Sequence, residues 1–258
     1  MYITDKEIVR NRFNRNFVSY NREAVVQQQI AEKLASMLSK FCKTELNRVL
    51  EIGCGTGFLS KNIISDYLVD EYFLNDIAES AFKEIAIYAN SKNFYNYKFI
   101  HGDAETAVFP ENINTIISTS TFQWFNNIEK FISKINYVLN DTGIIAFSTF
   151  GKNNFKEIKA VSNVGLEYKT LKELKTIIEP YFNILHAEEW IQKEQFNSPK
   201  DVLKHIKLTG VNGLKNEFFG KEKLIKFTEE YQKQFSNNNK TVNLTYHPII
   251  IIAKKRYA

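Results

Sequence analysis

Apolar residues recur along this chain with two different spacings. Val26, Ile30, Leu34, Leu38 and Phe41 stand three or four positions apart, which predicts a helix over about 22–41 with one buried stripe. Beyond it, short apolar runs alternate with helical stretches. Strands are predicted at 48–53, 72–76, 97–101, 113–118 and 144–150, and between the last two Ile128, Phe131, Ile132, Ile135, Val138 and Leu139 form the stripe of a helix packed on them. Such a series predicts a mostly parallel sheet covered on both faces.

Local signals place the remaining elements. Thr4 to Glu7 has the spacing of a capping box, so a first helix is expected there with Thr4 as its N-cap. Thr170 to Glu173 has the same spacing and opens a helix ending near Pro180, followed by a strand over 184–192. Ser198, Pro199 and Asp201 supply an N-cap, a favoured first residue and an acidic first turn for a helix from 199, and Leu224–Phe235 reads as another. The last strand, about 244–253, holds Ile249–Ile252 without interruption and is expected to be buried on both faces. The two helices before it form an insertion between the last two strands, which would act as a lid.

The expected fold is therefore α/β, with a Rossmann-like, seven-stranded, mostly parallel sheet. At 258 residues one domain accounts for the chain, with an N-terminal helical cap at 1–43, a core at 44–192, a helical lid at 193–241 and the last strand in 242–258. Hydrophobic residues make up 44% and no apolar run approaches bilayer length, so no membrane association is expected. The N-terminus lacks the apolar segment of a signal peptide, and a cytoplasmic protein is expected. Cys42 and Cys54 have no metal-ligand spacing, so no metal is expected. The net charge of +5 is uneven: residues 1–22 carry five basic against two acidic side chains, and 193–241 carry ten against six. Basic segments outside the core point to an acidic partner or substrate.

Candidate chemistry concentrates in Val49–Gly57, VLEIGCGTG. Gly53, Gly55 and Gly57 let the chain turn sharply after an apolar strand and bring bare backbone against a ligand. A dinucleotide fingerprint would need glycine at 58, where this chain has Phe58, and Glu51 would repel a pyrophosphate. The run resembles the first motif of S-adenosylmethionine (AdoMet)-dependent methyltransferases, and the resemblance implies that Glu51 organises the loop around the methionine end of the cofactor. Asp76, with Ile77 beside it, ends the second strand 19 residues after Gly57, where an acidic side chain can accept both ribose hydroxyls. Asp103, in HGDAE, resembles the residue that binds the adenine amino group, with the Ala104 backbone next to it. Ser118 and Thr119 close the fourth strand. The Asn/Asp-Pro-Pro-aromatic run of nucleobase amino-methyltransferases is absent there, which argues against a nucleic-acid substrate. His101, His186, His205 and His247 show neither zinc-ligand nor nucleophile-elbow spacing, so hydrolase chemistry is unsupported.

Four further stretches resemble one family, the malonyl-carrier-protein O-methyltransferases of biotin synthesis. They are FNRNFVSYNREAVVQQQIAEKL with Phe13, Arg15, Tyr20 and Gln29; FQWFNN with Gln123 and Trp124; HIKLTGVNGL with Lys207 to Gly213 as the lid segment; and LTYHPIIII with Tyr246 and His247. Thr119 stands where many relatives have asparagine, Pro248 follows the Tyr-His pair, and the lid is rich in lysine and asparagine. The resemblance implies AdoMet-dependent methylation of the free carboxylate of a malonyl thioester on acyl carrier protein, with S-adenosyl-L-homocysteine as product. It places Tyr20 over the methyl-transfer site. Trp124 would join Tyr20 in a water-poor pocket, and Tyr20, Gln123, Tyr246 and His247 are the candidates for orienting the carboxylate or thioester. Arg15, Lys204 and Lys207 would face the acidic carrier protein, with malonyl-CoA as another form of the substrate. Rival readings are a methyltransferase for a small metabolite such as a quinone precursor, a noncatalytic AdoMet-binding protein, and a basic nucleic-acid-binding module with salt-dependent affinity.

Overall fold

A computed structural model describes residues 4–42, 44–209 and 220–256. Helix α1, Lys6–Glu23, is capped by Asp5, whose side chain accepts the backbone N–H groups of Glu7 and Ile8 at 3.0 and 3.1 Å. The expected cap, Thr4, is instead engaged by Asn126, which accepts the Thr4 N–H at 2.7 Å, leaving the helix terminus to the aspartate one residue later. Because α1 runs on to Glu23, α2 starts at Val25, later than its stripe suggested, and continues to Cys42. Val26, Ile30, Leu34 and Leu38 are buried as their spacing requires.

The alternating part follows as β1 Glu45–Ile52, α3 Phe58–Asp66, β2 Leu68–Asp76, α4 Ser80–Ser91, β3 Tyr97–His101, β4 Ile113–Ser118, α5 Ile128–Val138 and β5 Leu139–Phe150. Then come α6 Lys156–Ser162, α7 Leu171–Ile178, β6 Phe182–Glu189, β7 Gln192–Phe196, α8 Pro199–Leu208, α9 Lys221–Phe235, β8 Val242–Tyr246 and β9 Pro248–Lys255. The capping box of Thr170 and Glu173 and the Ser198 cap with Pro199 in the first turn both form as expected. Seven strands make one sheet in the order β3-β2-β1-β4-β5-β9-β6, with β9 antiparallel to both neighbours. Within β9 the alternation is strict. Ile249, Ile251 and Ala253 enter a layer with Phe131, Ile132 and Ile135 of α5, whereas Ile250 and Ile252 enter the opposite layer with Leu34 and Leu38 of α2.

Two expected strands are each broken. The run 184–192 divides into β6 and β7, and 244–253 divides into β8 and β9, with His247 between them. Strands β7 and β8 pair antiparallel in a separate two-stranded sheet. Proline at 248 has no N–H to donate, which suits the first position of a strand, and its carbonyl accepts the Trp190 N–H at 3.1 Å. The chain thus leaves the main sheet near Trp190 and returns at Pro248. Between those points the β7–β8 pair and helices α8 and α9 share a core with α2 and α6, in which Val26, Ile30, Ile158, Val202, Phe227 and Tyr231 are buried. Among the described residues no helix is long and apolar enough to cross a membrane.

Candidate active site

Strand β1 delivers the glycine run to the carboxyl edge of the sheet, where ligands of open α/β folds bind. Gly53 has φ +68°, and a Cβ there would lie 2.2 Å from Thr121 Oγ1, so both conformation and space demand glycine. At Gly55, φ is +52° and nothing lies within 4 Å of a Cβ, so bare backbone faces open space. The end of β2 holds this loop from beside it. The Asn75 carbonyl accepts the Gly53 and Cys54 N–H groups at 2.8 and 3.0 Å, and Asp76 Oδ2 accepts the Gly55 N–H at 2.7 Å. Asp76 Oδ1 takes the Ala78 N–H at 2.8 Å. Burial raises the Asp76 pKa, against the pull of the backbone N–H groups of Ala78, Gly55 and Ile77.

The turn after β3 is braced from two sides. Asp103 Oδ1 accepts the Glu105 N–H at 3.1 Å and lies 3.3 Å from Lys6 Nζ, which is 2.7 Å from Glu105 Oε2. Burial works against ionisation of Glu105, but Lys6 and the N–H groups of Asn126 and Asn127 outweigh it and hold the pKa down. From below, Lys134 donates to the carbonyls of Ala104 and Ala107.

A cavity opens over these loops, and α1 roofs it with Lys6, Val9, Phe13, Phe17 and Tyr20. The spacing of those five is that of a single helix face. Val9 is the one buried residue of α1, clustered with Trp124 and Leu166. Tyr20 stacks on Phe58 with ring centroids 5.7 Å apart, and Phe13 meets Trp124 edge-on at 6.1 Å. Burial, and secondarily Asp76, push the Tyr20 phenol far above its ordinary range, so it stays a donor.

Of the residues singled out from sequence, Gly53, Gly55, Asp76, Ile77, Asp103, Ala104, Thr119, Tyr20 and Trp124 line this one cavity. Others lie outside its lining. Glu51 is buried beneath the loop, where it accepts from Ser60 Oγ at 2.7 Å and from the Tyr72 hydroxyl, and burial pushes its pKa up to about 7. Gly57 is the N-cap of α3. Ser118 donates to the Ile52 carbonyl at 2.8 Å and ties β4 to β1. Gln123 braces the turn after β4, donating to the Ser120 carbonyl at 2.6 Å and accepting from Thr149 Oγ1 at 3.2 Å. Tyr246 is fully buried with its hydroxyl 2.7 Å from His205 Nε2. His247 accepts the Asn153 N–H on Nδ1 at 3.2 Å, leaving Nε2–H toward Glu189 Oε2 at 3.1 Å. Both Tyr246 and His247 thus sit at the corner between β8 and β9.

The insertion does not roof the cavity through its described residues; α1 does, and α8 packs against α1, with Ser19 Oγ donating to the Leu208 carbonyl at 2.9 Å. Arg15 on α1 and Lys204 and Lys207 on α8 are exposed. Gly210 to Gly213 of the lid segment lie outside the described residues. Lys6, Val9, Phe17, Asn75, Ser120 and Thr121 also line the cavity and escaped the sequence reading. For the α1 residues the helical spacing from Lys6 was the available signal.

Three polar atoms of the lining, Thr56 Oγ1, Ser120 Oγ and Trp124 Nε1, are buried without a hydrogen-bond partner. Native interiors rarely leave such atoms unpaired, so the cavity fits a polar ligand. Residues 43–206 match the family described as a methyltransferase domain. A malonyl-[acyl-carrier protein] O-methyltransferase of Bacteroides helcogenes is 37% identical over 272 residues, covering 98% of this chain and 99% of that protein. One from Bacteroides fragilis is 40% identical over 254 residues and covers 98% of this chain, which spans about half, 51%, of that longer protein. In fold, the YcgJ protein of Bacillus subtilis superposes with a TM-score of 0.64 at 16% identity, over 88% of this chain and 100% of its own. An N-methyltransferase of Bradyrhizobium japonicum in complex with S-adenosyl-L-homocysteine superposes with a TM-score of 0.53 at 9% identity, over 91% and 88%. With a methyltransferase domain across more than half its length and an end-to-end relative at 37% identity, this chain belongs to the malonyl-[acyl-carrier protein] O-methyltransferase family.

Proposed function

We propose that this protein uses AdoMet to methylate the free carboxylate of a malonyl thioester carried by acyl carrier protein. The observation that carries the reading is the single cavity that joins the open face of Gly55, the carboxylates of Asp76 and Asp103, and the aromatic roof of α1. Gly55 gives backbone access to the methionine end of the cofactor, Asp76 accepts from the ribose, and Asp103 with Ala104 receives the adenine. Ile77 and Thr119 complete the walls. Glu51 acts from beneath, supporting the loop through Ser60 and Tyr72.

AdoMet supplies an electrophilic methyl group on a positively charged sulfur. The acceptor carboxylate is ionised at neutral pH, so the protein has no proton to remove. Its own work is alignment and exclusion of water. Opposite charges disappear as the methyl moves, so a dry enclosure disfavours the separated charges more than the transition state. Phe13, Phe17, Tyr20 and Trp124 supply that enclosure. Outside it, exposed Arg15, Lys204 and Lys207 suit an acidic carrier protein. The test is a mass-spectrometric assay of AdoMet with malonyl-carrier protein, malonyl-CoA and free malonate side by side. Methyl ester on the carrier protein is expected; transfer to none of the three would reject the reading.

A further inference from the structure

A carboxylate entering this cavity meets no free cation among the described lining residues. Lys6 is the one cationic side chain there, and Asp103 and Glu105 already engage it. Among the described residues the cavity offers such a group neutral donors, and lining side chains carry buried polar atoms without a partner. Trp124 is 6% exposed, and its Nε1–H has no partner. Ser120 has a buried hydroxyl, also without a partner, and an unusual backbone at φ +53°, in the left-handed region that L-residues rarely adopt. That conformation is held firmly. The Ser120 N–H donates to the carbonyl and the hydroxyl of Ser148 at 3.2 and 3.1 Å, and its carbonyl accepts from Gln123 at 2.6 Å. Backbones held in such regions cluster at functional positions, where they fix the direction of the side chain at a steric cost.

We propose that Trp124 Nε1–H and Ser120 Oγ–H are the donor pair that positions the carboxylate of a short acyl thioester for methylation. The inference rests on the function proposed above and deepens it. Neutral donors fit the chemistry better than an arginine would. A carboxylate oxygen attacks the methyl carbon, the carbon–sulfur bond breaks with its electron pair going to sulfur, and ester and thioether leave uncharged with no proton transferred. A guanidinium would hold the carboxylate too strongly before transfer and be left with an unpaired buried charge afterwards. Two neutral hydrogen bonds orient the nucleophile and release the ester.

Ser120→Ala and Trp124→Phe, with the serine variant as the one that leaves packing undisturbed, test the pair. Calorimetry would compare malonyl- with acetyl-carrier protein binding to the S-adenosyl-L-homocysteine complex, alongside the affinity for S-adenosyl-L-homocysteine itself. Each variant is expected to lose about tenfold of the preference for malonyl over acetyl, as one hydrogen bond to a charged group is lost, while affinity for S-adenosyl-L-homocysteine stays within about twofold. Retained malonyl preference in both variants overturns the donor pair alone, since the wild type still recognises the carboxylate. An equal loss of S-adenosyl-L-homocysteine affinity also overturns it, assigning the donors to the amino-acid end of the cofactor. Wild-type indifference between malonyl and acetyl carriers sinks the substrate reading and the pair with it.

Discussion

Asp76 Oδ2 accepts the backbone N–H of Gly55 at 2.7 Å, joining the end of β2 to the loop that follows β1. One carboxylate thereby shapes the glycine loop and lines the cavity. Asp76→Ala should weaken AdoMet binding by about 1.5–3 kcal/mol for each hydrogen bond lost to the charged group. Asp76→Asn keeps an acceptor for Gly55 and is expected to fall between alanine and wild type. Calorimetric dissociation constants for the three proteins give the order, and equal constants would remove Asp76 from the cofactor site.

Glu51 makes a pH prediction. Its pKa is raised from the usual 4.5 to about 7, chiefly by burial, against the hydrogen bonds from Ser60 and Tyr72. The folded state therefore binds more protons than the unfolded chain between those values, and stability should fall as pH rises from about 4.5 through 7. The full difference corresponds to roughly 3 kcal/mol. Glu51→Gln keeps an oxygen for the two hydroxyls and cannot ionise, so its denaturation midpoint should exceed that of wild type at pH 8 and vary less with pH. Parallel pH profiles for the two proteins would show that Glu51 does not ionise in this range.

Tyr20 and His247 were paired as candidates from sequence, but they occupy different places. Tyr20→Phe keeps the stacking on Phe58 and removes only the hydroxyl, so kcat should drop while the melting temperature hardly moves. His247→Ala removes the clasp between the Asn153 N–H and Glu189 at the β8–β9 corner. A stability loss of about 1–3 kcal/mol is expected, with AdoMet affinity retained. Stability curves and binding constants measured together separate these roles, and a stable but inactive His247 variant would restore that residue to the chemistry.

Lys204 and Lys207 project from α8, which packs against the α1 roof. Reversing both to glutamate should raise KM for an acidic carrier-protein substrate and leave cofactor binding unchanged. Added salt should reduce the difference between the two proteins, because exposed charges are screened over about 8 Å at physiological ionic strength. Kinetics indifferent to both charge reversal and salt would make these lysines ordinary solvated side chains.

Local physics made much of the architecture legible. Short apolar runs alternating with helical stripes identified the strands of the main sheet, and β3 and β4 begin and end where their apolar runs do. Capping chemistry placed the starts of α7 and α8, since Thr170 and Ser198 act on backbone groups within three residues. That Gly53, Gly55, Asp76 and Asp103 share one cavity was readable for a related reason: strand ends in this fold come together at one edge of the sheet, so position along a strand already implies position in space.

Residues whose role depends on what they face were not readable in this way. Tyr246 and His247 stand next to one of the most apolar runs in the chain, and only the switch of β8 into a second sheet turns them toward a corner instead of the cavity. The spacing of Val9, Phe13, Phe17 and Tyr20 on α1 marks one helix side, but that this side roofs a cavity depends on loops contributed by β1, β2, β3 and β4. Lys6 meets Asp103 across 97 positions of sequence. Periodicity reports which side of an element leaves water, whereas the partner on that side is chosen by contacts distant in the chain. The sequence by itself determined most of the elements, the main sheet and the edge at which the cavity opens; tertiary packing alone decided that α1 is the roof, that His247 clasps the β8–β9 corner, and that Ser120 Oγ and Trp124 Nε1 are left without a partner.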